Sequence, residues 1–461
     1  MRHFIPAIAM RRFLQNKLVT NSVIISVGAL IAGVFGYLFQ FVISRSLTVA
    51  GYGEFQSLNS LFLITGAVSS TLVYLFYKFF PVFWKARDYA AHHAFIRWAM
   101  EKINKWIFAY FALFLLFTPL FVLTLHLHGY YGLLFIAVAA MVGLYGTIYN
   151  SALIGWEHFL PSVVAGIIGA AGKLAAGYVI VLFFPSADAV LFSFVIGAVV
   201  GVAAYMFFNK RYFPGGGGGG GGGGTVGGGA GGDSAAPHDD WKQKYYAKFN
   251  FERELGHVFV FALLMTLLGN VDIFLVKSLT SATMTGFYGA LHTLGTVILT
   301  LNVAVISSVL PTVYAAGHEG KRASTKTVLF AYGAIAVISA GGLLLYAAFP
   351  GLIVGMLFGA KYLSVARNLW LFAPLTFFLS ILTLEANFAY ARHAYRVSWA
   401  LLATIVVAAA GVGLFHESIR AIALAITVAF ACGYVLVLCL NLWSRKKRFL
   451  EAQPLVIPSQ S

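Results

Sequence analysis

Residues 21–43 read NSVIISVGALIAGVFGYLFQFVI, twenty-three positions without a charge. A helix needs about 20 apolar residues to cross a hydrocarbon core about 30 Å thick, so this stretch predicts a membrane span. Eleven more such runs follow, near 57–82, 105–126, 131–154, 160–184, 187–208, 254–279, 286–312, 328–349, 367–390, 396–415 and 419–443. They are long and uninterrupted, unlike the short alternating segments of a membrane barrel. The expected fold class is an all-α polytopic membrane protein of about 12 transmembrane helices.

Composition agrees. Of 461 residues, 60% are hydrophobic and 10% charged, against roughly 25% charged in soluble domains. Mean hydropathy is +0.85. No charged shell is available for a soluble enzyme of this length, and 16% aromatic residues exclude disorder. The basic stretch from Met1 to Lys17 contains Pro6 and leads into the first run with no small-residue cleavage pattern. An uncleaved first span is expected there. Cys432 and Cys439 lie seven apart, roughly 10 Å along a helix, too far for a disulfide. No Cys/His spacing suggests a metal.

The charge balance is +16, and the basic residues alternate with the spans. Arg2, Arg11, Arg12 and Lys17 precede the first span, and Lys85, Arg87, Arg97, Lys102 and Lys105 follow the second. Lys210, Arg211 and Lys242 to Arg253 follow the sixth, Lys321, Arg322 and Lys326 the eighth, Arg392 and Arg396 the tenth, and Arg445 to Arg448 the last. The other side holds Arg45, Lys277, Lys361, Arg367 and Arg420. Positive residues stay on the cytoplasmic side, so both termini are expected there, in the cytoplasmic (inner) membrane. The outer loops are short, and none holds an acid/base cluster able to carry catalysis. The chain is expected not to be an enzyme and to bind no cofactor or nucleic acid.

Gly215 to Gly224 are ten consecutive glycines, and five more follow by Gly232. Such a segment is a flexible tether. It lacks the GK[ST] that a phosphate loop requires. It divides the chain into an N-terminal lobe at 1–208, a linker at 209–250 and a C-terminal lobe at 251–461. The lobes look related. Arg45-Ser46-Leu47-Thr48 precedes Gly51-Tyr52-Gly53, and Lys277-Ser278-Leu279-Thr280 precedes Gly286-Phe287-Tyr288-Gly289. From basic residue to proline the spacing is 36 to Pro81 and 34 to Pro311. A parallel six-plus-six pseudo-repeat is expected, an architecture of transporters.

Tyr37, Gln40, Ser44-Arg45, Leu47 and Tyr52-Gly53-Glu54-Phe55 resemble the first hairpin of polysaccharide-biosynthesis flippases of the O-antigen type. Asp272, Gly286, Tyr288 and Pro311 resemble the start of that family's second half. Phe349-Pro350, Leu357-Phe358-Gly359, Tyr362 and Ala366 resemble its outer segment. Those flippases belong to the multidrug/oligosaccharidyl-lipid/polysaccharide (MOP) exporter superfamily, with the MATE drug exporters. The resemblance implies a V-shaped pair of six-helix lobes working by alternating access. It also implies a polyprenyl-diphosphate-linked oligosaccharide as substrate, membrane lipid as partner, and action as a monomer.

Ionisable groups at membrane depth are costly and default to functional candidates. Lys173 lies mid-span among Gly169, Ala170, Ala171, Gly172, Ala175 and Ala176. It is a cation for the substrate diphosphate, one half of an internal ion pair, or a lysine neutral in the core. Arg45 and Lys277 occupy equivalent outer ends and serve either phosphate attraction or interfacial anchoring. Lys78, near the inner end of span 2, is a further substrate-binding candidate. Asp272 with Asn270 suits Na⁺ or proton coupling, or a structural pair with Lys277 or Lys173. Glu385 with Asn387 forms a second acidic cluster, and His292 is a relay candidate or a core histidine. Asn21, Gln40, Asn59, Asn150 and Asn302 are expected either to bond between helices or to face a sugar as donors in a cavity. The reading that results is a flippase. The alternative, a MATE-type ion-coupled multidrug exporter, calls for an acidic cavity.

Overall fold

The computed structural model describes residues 17–213, 251–318, 325–392 and 394–451. The glycine tether lies outside the described residues. In lipid every backbone polar group must be bonded within its own segment, and the described residues form helices joined by short turns. They run α1 (Lys17–Ser46), α2 (Val49–Ala86), α3 (Tyr89–Leu125), α4 (Tyr131–Gly155), α5 (Phe159–Phe183) and α6 (Ala187–Tyr212). After the tether come α7 (Phe251–Leu268), α8 (Val271–Leu279), α9 (Ala282–His318), α10 (Thr325–Ala348) and α11 (Pro350–Leu357). A 3-10 helix (Ala360–Leu371), α12 (Phe372–Ala391), α13 (Val397–Leu414) and α14 (Ile419–Glu451) complete the chain.

Among the described residues eleven helices are long and apolar enough to cross a membrane, or twelve when the bent pair α7–α8 is one span. The all-α polytopic expectation holds. The seventh span differs from the unbroken run expected over 254–279: it breaks at Gly269 and Asn270, with a bend of 54°.

The chain forms two compact units. One comprises the described residues of 1–42, 65–123 and 128–259, the other those of 43–64, 124–127 and 260–461. The division therefore differs from a cut at the tether alone. The corner between α1 and α2 packs with the second half of the sequence.

Within the second unit, that corner and the corner between α8 and α9 are built alike. Thr48 Oγ1 accepts from the Gly51 N–H at 3.0 Å, and Ser281 Oγ accepts from the Met284 N–H at 3.2 Å. Each hydroxyl satisfies an orphan donor in the first turn of its helix. The helices then meet backbone to backbone. A Cβ at Gly286 would lie 1.9 Å from the Val49 carbonyl oxygen, and one at Gly53 would lie 2.2 Å from that of Ala282. Backbone cannot rotate away as a side chain can. Overpacking costs about 1–3 kcal/mol, so Gly286→Ala and Gly53→Ala should each lower the apparent melting temperature in detergent. Melting temperatures equal to wild type would mean that the corners are not in contact.

The first unit is closed at one end by an aromatic cluster. His92 is fully buried, with ring centroids 4.5 Å from Phe213, 5.1 Å from Trp156 and 5.3 Å from Phe80. Neither imidazole nitrogen, nor the Trp156 Nε1, has a hydrogen-bond partner. A buried polar atom without a partner costs about 1–3 kcal/mol. His92→Phe keeps the stacking and removes two such atoms, so thermal stability should be unchanged or raised. A clear drop in thermal denaturation would show that the imidazole is bonded after all.

Candidate functional site

The break in the seventh span is made by two residues. Gly269 carries the lowest helix propensity short of proline. At Asn270 the backbone turns out of the helix, with φ −139° and ψ −12°. The Asn270 side chain donates to the Thr266 carbonyl at 2.9 Å, and its carbonyl accepts from Ser60 Oγ at 2.5 Å. Backbone groups freed by the break are thus partly satisfied by side chains. A break at membrane depth is tolerated only where such partners exist.

Asp272 lies in the first turn of α8, where the helix dipole favours a negative charge. It is 5% exposed. Its Oδ2 accepts from the Tyr288 hydroxyl at 2.7 Å and lies 3.4 Å from His292 Nε2. Its Oδ1 is buried without a partner. Next along α9, Thr293 Oγ1 accepts from Gln56 Nε2 at 2.6 Å, and the same amide donates to the Tyr52 hydroxyl at 2.9 Å and the Gly289 carbonyl at 3.2 Å. An ionisable triad, Asp272–Tyr288–His292, and a neutral one, Tyr52–Gln56–Thr293, thus occupy neighbouring turns of α9.

Glu385 is as deeply buried but differently placed. Its Oε1 accepts from the Tyr332 hydroxyl at 2.6 Å and its Oε2 from Asn441 Nδ2 at 2.5 Å. Both oxygens are engaged by α10 and α14. Asn387 donates to its own helix, at the Thr383 carbonyl, 2.8 Å away. Asn302 donates to Ser339 and Ser380 at 3.0 and 2.9 Å, and Ser162 donates to Asn150 at 2.6 Å, the bonding between helices expected of these two asparagines. Among the described residues no three His, Cys, Asp or Glu side chains converge as metal ligands do.

Arg45 donates to the carbonyls of Met356 and, at 3.2 Å, Leu357, the last two residues of α11. Lys277 is buried in the last turn of α8, and the carboxylate acting on it electrostatically is Glu54. Asp272 instead has Tyr288 and His292. The Lys78 side chain lies outside the described residues.

Lys173 belongs to the first unit. On α5, Gly169, Lys173 and Gly177 recur every four residues; on α6, Gly197 and Gly201 do the same. This small-residue seam brings the two backbones close. A Cβ at Gly197 would lie 2.6 Å from the Lys173 Cβ. The ammonium lies 4.8 Å from the Phe39 ring centroid and 4.7 Å from that of Phe194. Ring faces attract a cation. Among the described residues no carboxylate reaches it as a salt-bridge partner.

Sequence reasoning singled out Asp272, Asn270, Glu385 and Lys173 by their charge or their place beside one. It missed the aromatic, hydroxyl and amide groups that hold them: Tyr332, Asn441, Phe39 and Phe194. These are ordinary span residues, and nothing local marks them. Tyr52 and Tyr288 were marked, as equivalent positions of the repeat.

Residues 249–367 match the family described as polysaccharide biosynthesis protein. No curated protein matches the chain by sequence. Solved structures do match in fold. An inward-facing multidrug resistance MATE family transporter of the MOP superfamily superposes with a TM-score of 0.65 at 11% identity, over 92% of this chain and 98% of that one. The lipid II flippase MurJ, in an inward closed conformation, superposes with a TM-score of 0.61 at 12% identity, over 90% and 87%. A MOP superfamily transporter from Pyrococcus furiosus, described by the reverse polarity of its binding pocket, superposes with a TM-score of 0.59 at 13% identity, over 93% and 95%.

The chain has the fold of the MOP superfamily. The resemblance read from Asp272, Gly286, Tyr288, Pro311 and the outer segment from Phe349 to Ala366 lies within the stretch matched to the polysaccharide biosynthesis family. In this MOP-fold chain the stretch matched to the polysaccharide biosynthesis family contains the broken seventh span, Asp272 and α11. At these identities the solved structures speak to fold alone.

Proposed function

We propose that the protein is a flippase that moves polyprenyl-diphosphate-linked oligosaccharide across the cytoplasmic membrane for polysaccharide or cell-envelope glycan biosynthesis. The observation that carries this reading is Lys173. A cation at membrane depth with no carboxylate partner among the described residues, resting on two ring faces, is what an anionic headgroup requires. Its ammonium is a point charge able to turn toward a diphosphate. Of the other cations, Arg45 is committed to the end of α11 and Lys277 is buried in the last turn of α8, so Lys173 takes the diphosphate, and Lys78 remains a further candidate.

Translocation is by alternating access, without catalysis on the substrate, and both termini face the cytoplasm. Binding can drive such a cycle only if the two states differ in affinity for the headgroup. Asp272, with Asn270 at the helix break, is the coupling site for Na⁺ or H⁺, because one of its buried oxygens is unoccupied by protein. Glu385, with both oxygens engaged, is the second coupling candidate.

The test is reconstitution. Purified protein in liposomes should move a fluorescent polyprenyl-diphosphate oligosaccharide between leaflets faster than empty liposomes do. Expulsion of cationic dyes without movement of that lipid would establish the MATE-type exporter instead.

A further inference from the structure

The outer segment between α10 and α12 presents a face that nothing among the described residues covers. Pro350 opens α11, and the backbone leaves the helix at Phe349, with φ −130° and ψ 45°. The Phe349 N–H closes the last turn of α10 on the Leu345 carbonyl at 3.0 Å, and the Phe349 carbonyl accepts the first bond of α11, from the Ile353 N–H at 3.1 Å. From that break Phe349, Leu352 and Met356 follow at spacings of three and four, on one side of α11. Phe349, Leu352 and Met356 are 56%, 62% and 64% exposed, while Val354 and Phe358 on the opposite side are 0% exposed.

The length of α10 says what covers this face. Its 24 residues make about 36 Å of helix at 1.5 Å per residue, against a hydrocarbon core about 30 Å thick. α10 therefore reaches the boundary of one leaflet by its last turn, and α11 begins there. A short helix with one apolar face at that boundary lays the face into lipid.

The inner side of the same segment grips the corner of the first hairpin. Arg45, at the end of α1, caps the C-terminal carbonyls of α11. In return, Lys361 donates to the carbonyls of Arg45, at 3.0 Å, and Leu47, and the Tyr362 hydroxyl donates to that of Ser44 at 3.3 Å. Cations at helix C-terminal ends complement the helix dipole. Two helix ends are thus capped reciprocally by residues more than 300 positions apart.

We propose that α11 is a lipid-contacting anchor: phospholipid of the leaflet opposite the basic termini covers Phe349, Leu352 and Met356, and α11 holds the α1–α2 corner at that depth through Arg45 and Lys361. The lipid contact stands on the face itself. Only the leaflet assignment rests on the orientation proposed above.

The experiment uses the full chain with Cys432 and Cys439 replaced by serine and single cysteines at Leu352→Cys, Met356→Cys and, as a water-exposed control, Lys102→Cys. Each is labelled with an environment-sensitive fluorophore in phosphatidylcholine liposomes. Fluorophores at 352 and 356 should emit at shorter wavelength than the control and lose emission to phosphatidylcholine spin-labelled high on its acyl chain. Unquenched, water-like emission at both positions would overturn the lipid contact. So would efficient disulfide cross-linking of Leu352→Cys between two copies, which would mean a protein partner. Adding an aqueous reductant of the spin label that cannot cross the bilayer then identifies the leaflet. Relief of quenching from the side carrying the termini would overturn the leaflet assignment while leaving the anchor in place.

Discussion

Lys173→Met should leave the protein folded and slow translocation of the diphosphate-linked oligosaccharide by one to two orders of magnitude. Methionine is unbranched and adaptable, so it can keep the stem against Gly197 and the tip against Phe39 and Phe194. What it removes is the charge. A hydrogen bond to a charged group contributes about 1.5–3 kcal/mol, which is about ten- to a hundredfold in a rate or affinity. Lys173→Arg restores a cation that also favours ring faces and should recover part of the activity. The measurement is lipid translocation in liposomes at matched protein amounts. Wild-type rates from Lys173→Met would remove the diphosphate role from this residue.

Asp272→Asn should abolish the response to an ion gradient while sparing slow, gradient-independent movement of the lipid. The amide has the carboxylate's shape, and its oxygen can still accept from the Tyr288 hydroxyl. It cannot bear the negative charge that a Na⁺ ion or a proton would neutralise. The measurement compares translocation with and without an imposed Na⁺ gradient or pH gradient, in wild type and variant. Equal acceleration of both proteins by the effective gradient would place coupling elsewhere. Glu385→Gln is the matched comparison. It should lower thermal stability, because an amide cannot accept on both sides from Tyr332 and Asn441 as the carboxylate does, with less effect on the gradient response.

These two residues also mark how far the sequence could be read. Lys173 and Asp272 stood out because a charge inside an apolar run is visible without any structure. What each charge faces was not visible. The sequence leaves Lys173 as a substrate cation, half of an ion pair or a neutral core lysine, and that it faces the rings of Phe39 and Phe194, from α1 and α6, is a matter of packing alone. Asp272 has Lys277 five residues on as its nearest formal partner in sequence, but the carboxylate faces Tyr288 and His292 of α9 instead. The break at Gly269 and Asn270 escaped because hydropathy reads the same on both sides of it. Its residues are those expected at a helix end, but apolar stretches on both sides of Gly269 and Asn270 mask them.

The sequence by itself determined the membrane class, the positions of the spans and the charge alternation between loops. All three rest on one-dimensional quantities: the length of an apolar run against the thickness of a bilayer, and the side on which lysines and arginines fall. Tertiary structure decided the rest. It paired Glu385 with residues more than 50 positions away on either side, tied Arg45 to α11 more than 300 positions on, and grouped the α1–α2 corner with the second half of the chain. Lipid offers a buried polar group no partner of its own. Each such group must find one on another helix, and which helix is adjacent is a property of packing that no local run of residues contains.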